Sequence, residues 1–195
     1  VYLVVVAQPG GGRTMPLSKG RSFDPFDIEM GPDGAIWITS WGRQYGAHYE
    51  NDKLANEGRI YRFWPQGYAP LQRSRDTQTV QGLIADLGSH LPAWRTNAQE
   101  ELIRRGESAE PSLRAALRNP DLSVALETWL VWTIGRINPE AWFGETTNRK
   151  IQSIRVAAFN GRLHPAIQQA LADEEPKVRL AAVSALRELK ASGST

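Results

Sequence analysis

Apolar and polar positions alternate through the first third of the chain and recur at helical spacing through the rest. Residues 27–41, DIEMGPDGAIWITSW, hold two short apolar runs joined by Gly31, Pro32, Asp33 and Gly34. Alternation sets Ile36 and Ile38 on one face of a strand and Trp37 and Thr39 on the other. Pro32 presets a turn φ and Gly34 accepts a left-handed one, so a β-hairpin is predicted, with Asp33 bonding the backbone amides of its turn. Around it the pattern predicts a strand over 1–7, a long Gly-rich loop (PGGGRTMPLSKG) and a strand GRIYRFW over 58–64. The segment 41–58, WGRQYGAHYENDKLANEG, reads as a long polar and aromatic loop. Four such strands make a small antiparallel sheet, marginal alone and in need of something to pack against.

Near residue 70 the pattern changes. Most glycines lie before it; after it Leu, Ala, Arg and Glu recur with a period near 3.6. Three segments begin at Pro92, Pro120 and Pro176 and place apolar residues two, six and ten positions on: Trp94, Ala98, Leu102; Leu122, Leu126, Leu130; Val178, Ala182, Leu186. Proline suits the first turn of a helix. The marks lie 28 and then 56 residues apart, which predicts a degenerate copy around 151–159. Shorter apolar stretches precede each mark: Leu83, Ile84 and Leu87; Leu113, Ala116 and Leu117; Ile167 and Leu171. Short helix, tight turn, longer helix, repeated, is the signature of an α-solenoid. The reading is therefore α+β: an antiparallel β module over 1–69, followed by helical repeats over 70–195.

Composition narrows the function classes. Lys and Arg number 23 against 21 acids, a net charge of +2, and no basic run is dense enough for a nucleic-acid patch. Cysteine is absent, which excludes disulfides, thiolate nucleophiles, thiolate metal sites and a Cys-x-x-Cys-His haem attachment within the chain. The longest apolar run, VYLVVVA, is far short of the roughly 20 residues that span a bilayer. The chain starts with Val and has no basic segment before that run, so it is expected to be a portion of something longer.

Two resemblances follow from these stretches. IQQALADEEPKVRLAAVSALREL (167–189) resembles a HEAT-like repeat, in a variant more compact than the about 40–47 residues of the standard form. FDPFDIEMGPDGAIWITSW, then Gly46-Ala47-His48, then Gly58-Arg59-Ile60-Tyr61-Arg62, resembles the last blade of exported bacterial proteins similar to sorbosone/glucose dehydrogenases. Those carry a quinoprotein-type β-propeller, in many cases followed by HEAT-like helices and a c-type haem domain. The resemblance implies a periplasmic or extracellular location. It implies pyrroloquinoline quinone or haem c only if further domains exist. A propeller's central pocket draws on several blades, so one blade closes no catalytic site.

Candidate chemistry is sparse. His48 shares its loop with Glu50 and Asp52; a solvated loop is the plainer reading, and no metal site or catalytic residue is assigned. His90 and His164 stand beside helix junctions and read as structural, and 9–13 lacks the Lys-Ser/Thr of a phosphate loop. Trp94, Trp129 and Trp132 read as buried core. Arg95 and Arg179 share one repeat position and are expected to tie one repeat to the next. Trp41, Arg43, Tyr45 and His48 form a candidate contact loop, and Trp37, Tyr49, Trp64 and Trp142 a candidate interface. The function expected is a non-catalytic interaction or scaffold module. Its partner would be another protein or the remaining propeller blades. The alternative is the C-terminal portion of a quinoprotein-like sugar or alcohol dehydrogenase associated with a c-type cytochrome domain.

Overall fold

Gly31 to Gly34 make the predicted turn: the Gly34 amide donates to the Gly31 carbonyl at 3.0 Å, and Gly34 takes φ +80°. The Asp33 carboxylate accepts from the Ala35 amide at 3.1 Å, as expected of an aspartate in a turn. This computed structural model describes residues 2–8, 11–16, 25–40, 49–51, 53–54, 58–64, 66–67, 69 and 79–192. It divides into two units, Val1–Gln72 and Arg73–Thr195.

In the first unit the turn joins β3 (Pro25–Met30) to β4 (Ile36–Ser40), and β4 pairs on its other edge with β7 (Arg59–Phe63). The three strands form an antiparallel sheet in the order β3-β4-β7. Its register aligns Ile28, Ile38 and Tyr61 on one face and Glu29, Trp37 and Arg62 on the other. Ile38 is fully buried, a burial worth roughly 1.5–3 kcal/mol. The strand that opens the chain, β1 (Tyr2–Gln8), pairs not with this sheet but with β2 (Gly11–Pro16). Residues 11–16 are thus a strand where a glycine-rich loop is expected. Glycine weakens a strand without forbidding it, and Gln8 opposite Gly11 leaves only a hairpin's worth of chain between them. Within 41–58 the chain forms a minimal hairpin, β5 (Tyr49–Glu50) with β6 (Lys53–Leu54).

The second unit holds seven helices among the described residues: α1 (Val80–Leu87), α2 (Pro92–Arg105), α3 (Glu110–Leu117), α4 (Val124–Ile137), α5 (Thr147–Phe159), α6 (Pro165–Gln169) and α7 (Pro176–Ser192). Each start has a local cause. Pro92, Pro111, Pro165 and Pro176 supply a preset first turn. Thr79, Ser123 and Thr146 accept from amides three residues on, at 2.9, 3.2 and 3.1 Å. His164 is structural, its Nδ1 accepting from the Ala166 amide at 3.2 Å. Pro120 does not open a helix as its spacing suggests. Asn119 Oδ1 captures the Asp121 amide, and the Ser123 cap delays α4 to Val124.

Helix α1 packs on α2, α3 on α4, and α6 on α7, while α2, α4, α5 and α7 adjoin one another in chain order. One apolar cluster gathers Leu87, Leu102, Leu113, Leu130 and Ile134; a second gathers Ile154, Ile167, Val178 and Ala182. Leu171 does not join the second. After Gln169 the helix tightens to a 3₁₀ turn, Ala170–Ala172, so that Ala170, three residues after Ile167, takes the inward place and Leu171 is exposed. Arg95 and Arg179 repeat one contact, each reaching back six residues, to the Ser89 carbonyl at 2.6 Å and the Asp173 carbonyl at 2.8 Å. Both clamp the turn inside a helix pair, and Arg95 also reaches α4 of the neighbouring pair, where it stands by Trp129.

Two consequences are measurable. A Cβ on Gly135 would stand 2.6 Å from Val156 Cγ1, where α4 crosses α5. Helix propensity alone favours alanine there by about 1 kcal/mol. The overlap with a stiff β-branched side chain costs about 1–3 kcal/mol, so Gly135→Ala is expected to lower stability in urea denaturation. On α2, hydrogen bonds from Arg104 and Arg105 pull the Glu101 carboxyl from the usual 4.5 to about 2. A depressed carboxylate stabilises the fold above its ordinary pKa and loses that effect as pH falls through the folded value. The stability gap between the native chain and Glu101→Gln should be full above pH 4.5 and close towards pH 2; a gap that does not change with pH would refute the pairing.

Candidate binding site

Helix α4 is apolar nearly all round, and two of its faces have different fates. Leu130, Val131 and Ile134 are fully buried in the core. Thr128, Trp129 and Trp132 lie on an adjoining stripe and, with Gln99 of α2, line an open cavity of about 260 Å³. Trp129 and Trp132 are half-buried, as is Trp94, where burial in the core is expected. A helix apolar on every side does not reveal from its own sequence which face its neighbours cover.

The cleft is held from behind by α5. Buried Glu127 and half-buried Arg149 form an ion pair, Nε to Oε1 at 2.6 Å, and Arg149 Nη2 donates to the Leu117 carbonyl at the end of α3, also at 2.6 Å. Asn148 donates to both Glu127 Oε2 (2.7 Å) and Thr128 Oγ1 (3.2 Å). Gln152 donates to Asn148 and in turn accepts the Trp132 indole N–H at 3.0 Å. The Trp132 ring is therefore oriented, with its polar edge satisfied and the rest of it available for contact. Phe159 meets Trp132 edge-on at 5.6 Å and is 65% exposed.

Trp129 and Gln99 bring an indole N–H and a side-chain amide to the lining, and the Gln99 amide donates to Thr133 Oγ1 at 3.4 Å. Together they put polar groups at an aromatic floor. Cations surround it. The Arg95 guanidinium lies 5.7 Å from the centre of the Trp129 ring. The Arg136 guanidinium lies 6.0 Å from that of Phe159 and is paired with Glu100 at 2.6 Å. Arg155 is exposed on α5, three residues after Gln152 and four before Phe159. No carboxylate pairs with Arg95 or Arg155 among the described residues.

The residues singled out from sequence lie elsewhere. Trp41, Arg43, Tyr45 and His48 fall outside the described residues, and Tyr49 opens β5. Trp37 and Trp64 do come together: the Arg62 guanidinium lies 5.4 Å from the first ring and 4.2 Å from the second, and pairs with Asp33. Burial works to raise the Asp33 carboxyl, but the Ala35 amide and Arg62 outweigh it and hold it below the usual range. Trp142 belongs to the helical unit, half-buried and stacked on His164 at 4.8 Å. Gln99, Thr128, Arg155 and Phe159 are missed by sequence reasoning. The available signal is the stripe Thr128, Trp132, Arg136 at four-residue spacing, polar at both ends as a core stripe would not be.

Among the described residues no group of three or more His, Cys, Asp or Glu side chains could hold a metal ion. No described helix is long and apolar enough to cross a membrane. Comparison of the chain with protein-family models, curated proteins and solved structures gave no match. The Glu127–Arg149 pair makes the site testable as a built object. Arg149→Ala strands a buried carboxylate and should lower unfolding free energy by about 3 kcal/mol, with altered near-UV signal from Trp132. An unchanged stability and tryptophan signal would show that the network does not support the cleft.

Proposed function

We propose that this chain is a non-catalytic interaction module whose helical unit takes hold of a protein partner at the Trp129–Trp132 cleft. The observation that carries this reading is an open cleft floored by two tryptophans, one of them oriented by its hydrogen bond to Gln152. Aromatic residues and arginine are the types enriched where proteins meet, and the surface here has both.

The finer architecture belongs to the same proposal. The helices are HEAT-like pairs of an α-solenoid: α1 with α2, α3 with α4, and α6 with α7. Helix α5 is the long member of a pair whose first half has become the extended stretch before it. What supports this is the chain-order adjacency of α2, α4, α5 and α7, since repeats stack on their neighbours. The β3-β4-β7 meander is a propeller-like blade of an exported protein similar to sorbosone/glucose dehydrogenases, and its exposed edge strand β3 supports that reading. In that setting the partner is another subunit or the rest of the same polypeptide.

A photo-crosslinking residue placed at Thr128, in the cells that make the protein, tests the reading. Adducts to a defined protein are expected at Thr128, lost in the Trp132→Ala background and absent when the crosslinker sits at exposed Glu174. No adduct at Thr128, or equal adducts at both positions, would overturn it.

A further inference from the structure

We infer that the occupant of the Trp129–Trp132 cleft is an acidic linear peptide segment that seats one apolar side chain between the two indoles. This deepens the interaction reading and rests on it. Three features of the site narrow the ligand. The cavity, about 260 Å³, is below the roughly 300–1,000 Å³ of sites that enclose a drug-sized molecule, so it takes a side chain rather than a whole ligand. Trp129 and Gln99 in the lining carry an indole donor and a side-chain amide, groups that suit the carbonyl and N–H of a peptide backbone; a polyproline segment offers no N–H. The third feature is charge.

Arg95 stands over one end of the floor, and Arg155 shares the helix face of Gln152 and Phe159 at the other. The residues three and four positions from Arg155 are Ile151, Gln152, Ala158 and Phe159, and those from Arg95 are Leu91, Pro92, Ala98 and Gln99. None is acidic, and Glu100, next to Gln99, is paired with Arg136. Arg95 Nη1 donates to the Ser89 carbonyl at 2.6 Å and the guanidinium stands beside Trp129, so a carboxylate arriving there meets a cation already held in place. Two unneutralised cations flanking an apolar slot repel a basic segment and leave a neutral glycan with no use for the charge.

The test is a displayed library of random decapeptides selected on the full chain, with the Trp132→Ala variant for counter-selection. Enrichment of Asp and Glu around a single Leu, Phe or Trp is expected. The best such peptide, labelled with fluorescein, should bind about three- to tenfold more weakly to Arg155→Glu, whose side chain is exposed and structurally unengaged, and should weaken as salt rises. Proline-rich or basic winners would overturn the inference, as would indifference to Arg155→Glu, or tryptophan quenching by maltohexaose or cellohexaose with no peptide selected. If no peptide is enriched while Thr128 still crosslinks to a protein, this inference fails and the interaction reading stands. If both experiments are empty, both fail.

Discussion

Burying a charge pair costs solvation that only close geometry and further hydrogen bonds return, so such a pair tolerates little displacement of the elements that carry it. Glu127 and Arg149 impose that constraint on the helical unit. Arg149 holds a carboxylate of α4 and a carbonyl at the end of α3, which fixes α5 against both. Eight residues along α4, about 12 Å away, Gly135 lets Val156 approach the backbone, and Asn160 donates to the Gly135 carbonyl at 2.8 Å. Between these two fixed points lie Trp132 and Gln152. Neither helix can roll without breaking one of them, so the indole is held where the cleft needs it.

How much of this is legible in the sequence depends on whether the cause is local. The Gly-Pro-Asp-Gly turn and the starts at Pro92 and Pro176 are written in a few adjacent residues, and the structure has them in place. The start at Pro120 fails for a reason equally local: Asn119 and Ser123 are better amide acceptors than proline is a helix starter. Leu171 fails because α6 is too short to keep its period and ends in a 3₁₀ turn.

The cleft is a different kind of miss. Tryptophan is large enough to be mostly buried and still present a face, so counting apolar positions on α4 cannot separate core from binding surface. That separation depends on where α5 lies, and α5 is positioned by contacts spanning twenty or more residues of chain, Asn148 to Glu127 and Trp132 to Gln152 among them. The strand Gly11–Pro16 belongs to the same class, since its partner, and not its own glycine-rich composition, makes it a strand.

The molecule carries two clusters of tryptophan with arginine, and their chemistry differs in a way that decides what each can do. On the sheet, Arg62 lies close to both Trp37 and Trp64 and pairs with Asp33, so its charge is neutralised. That cluster spans β4, β7, the strand end beyond it and the hairpin turn, and both rings keep an exposed surface. On the helices, Arg95 of α2 lies beside Trp129 of α4 with no carboxylate pair among the described residues. What separates the two clusters is charge: the cation beside the sheet tryptophans is already paired with a carboxylate, whereas the one beside Trp129 has no carboxylate pair among the described residues, so an incoming anion gains more at the helices than at the sheet.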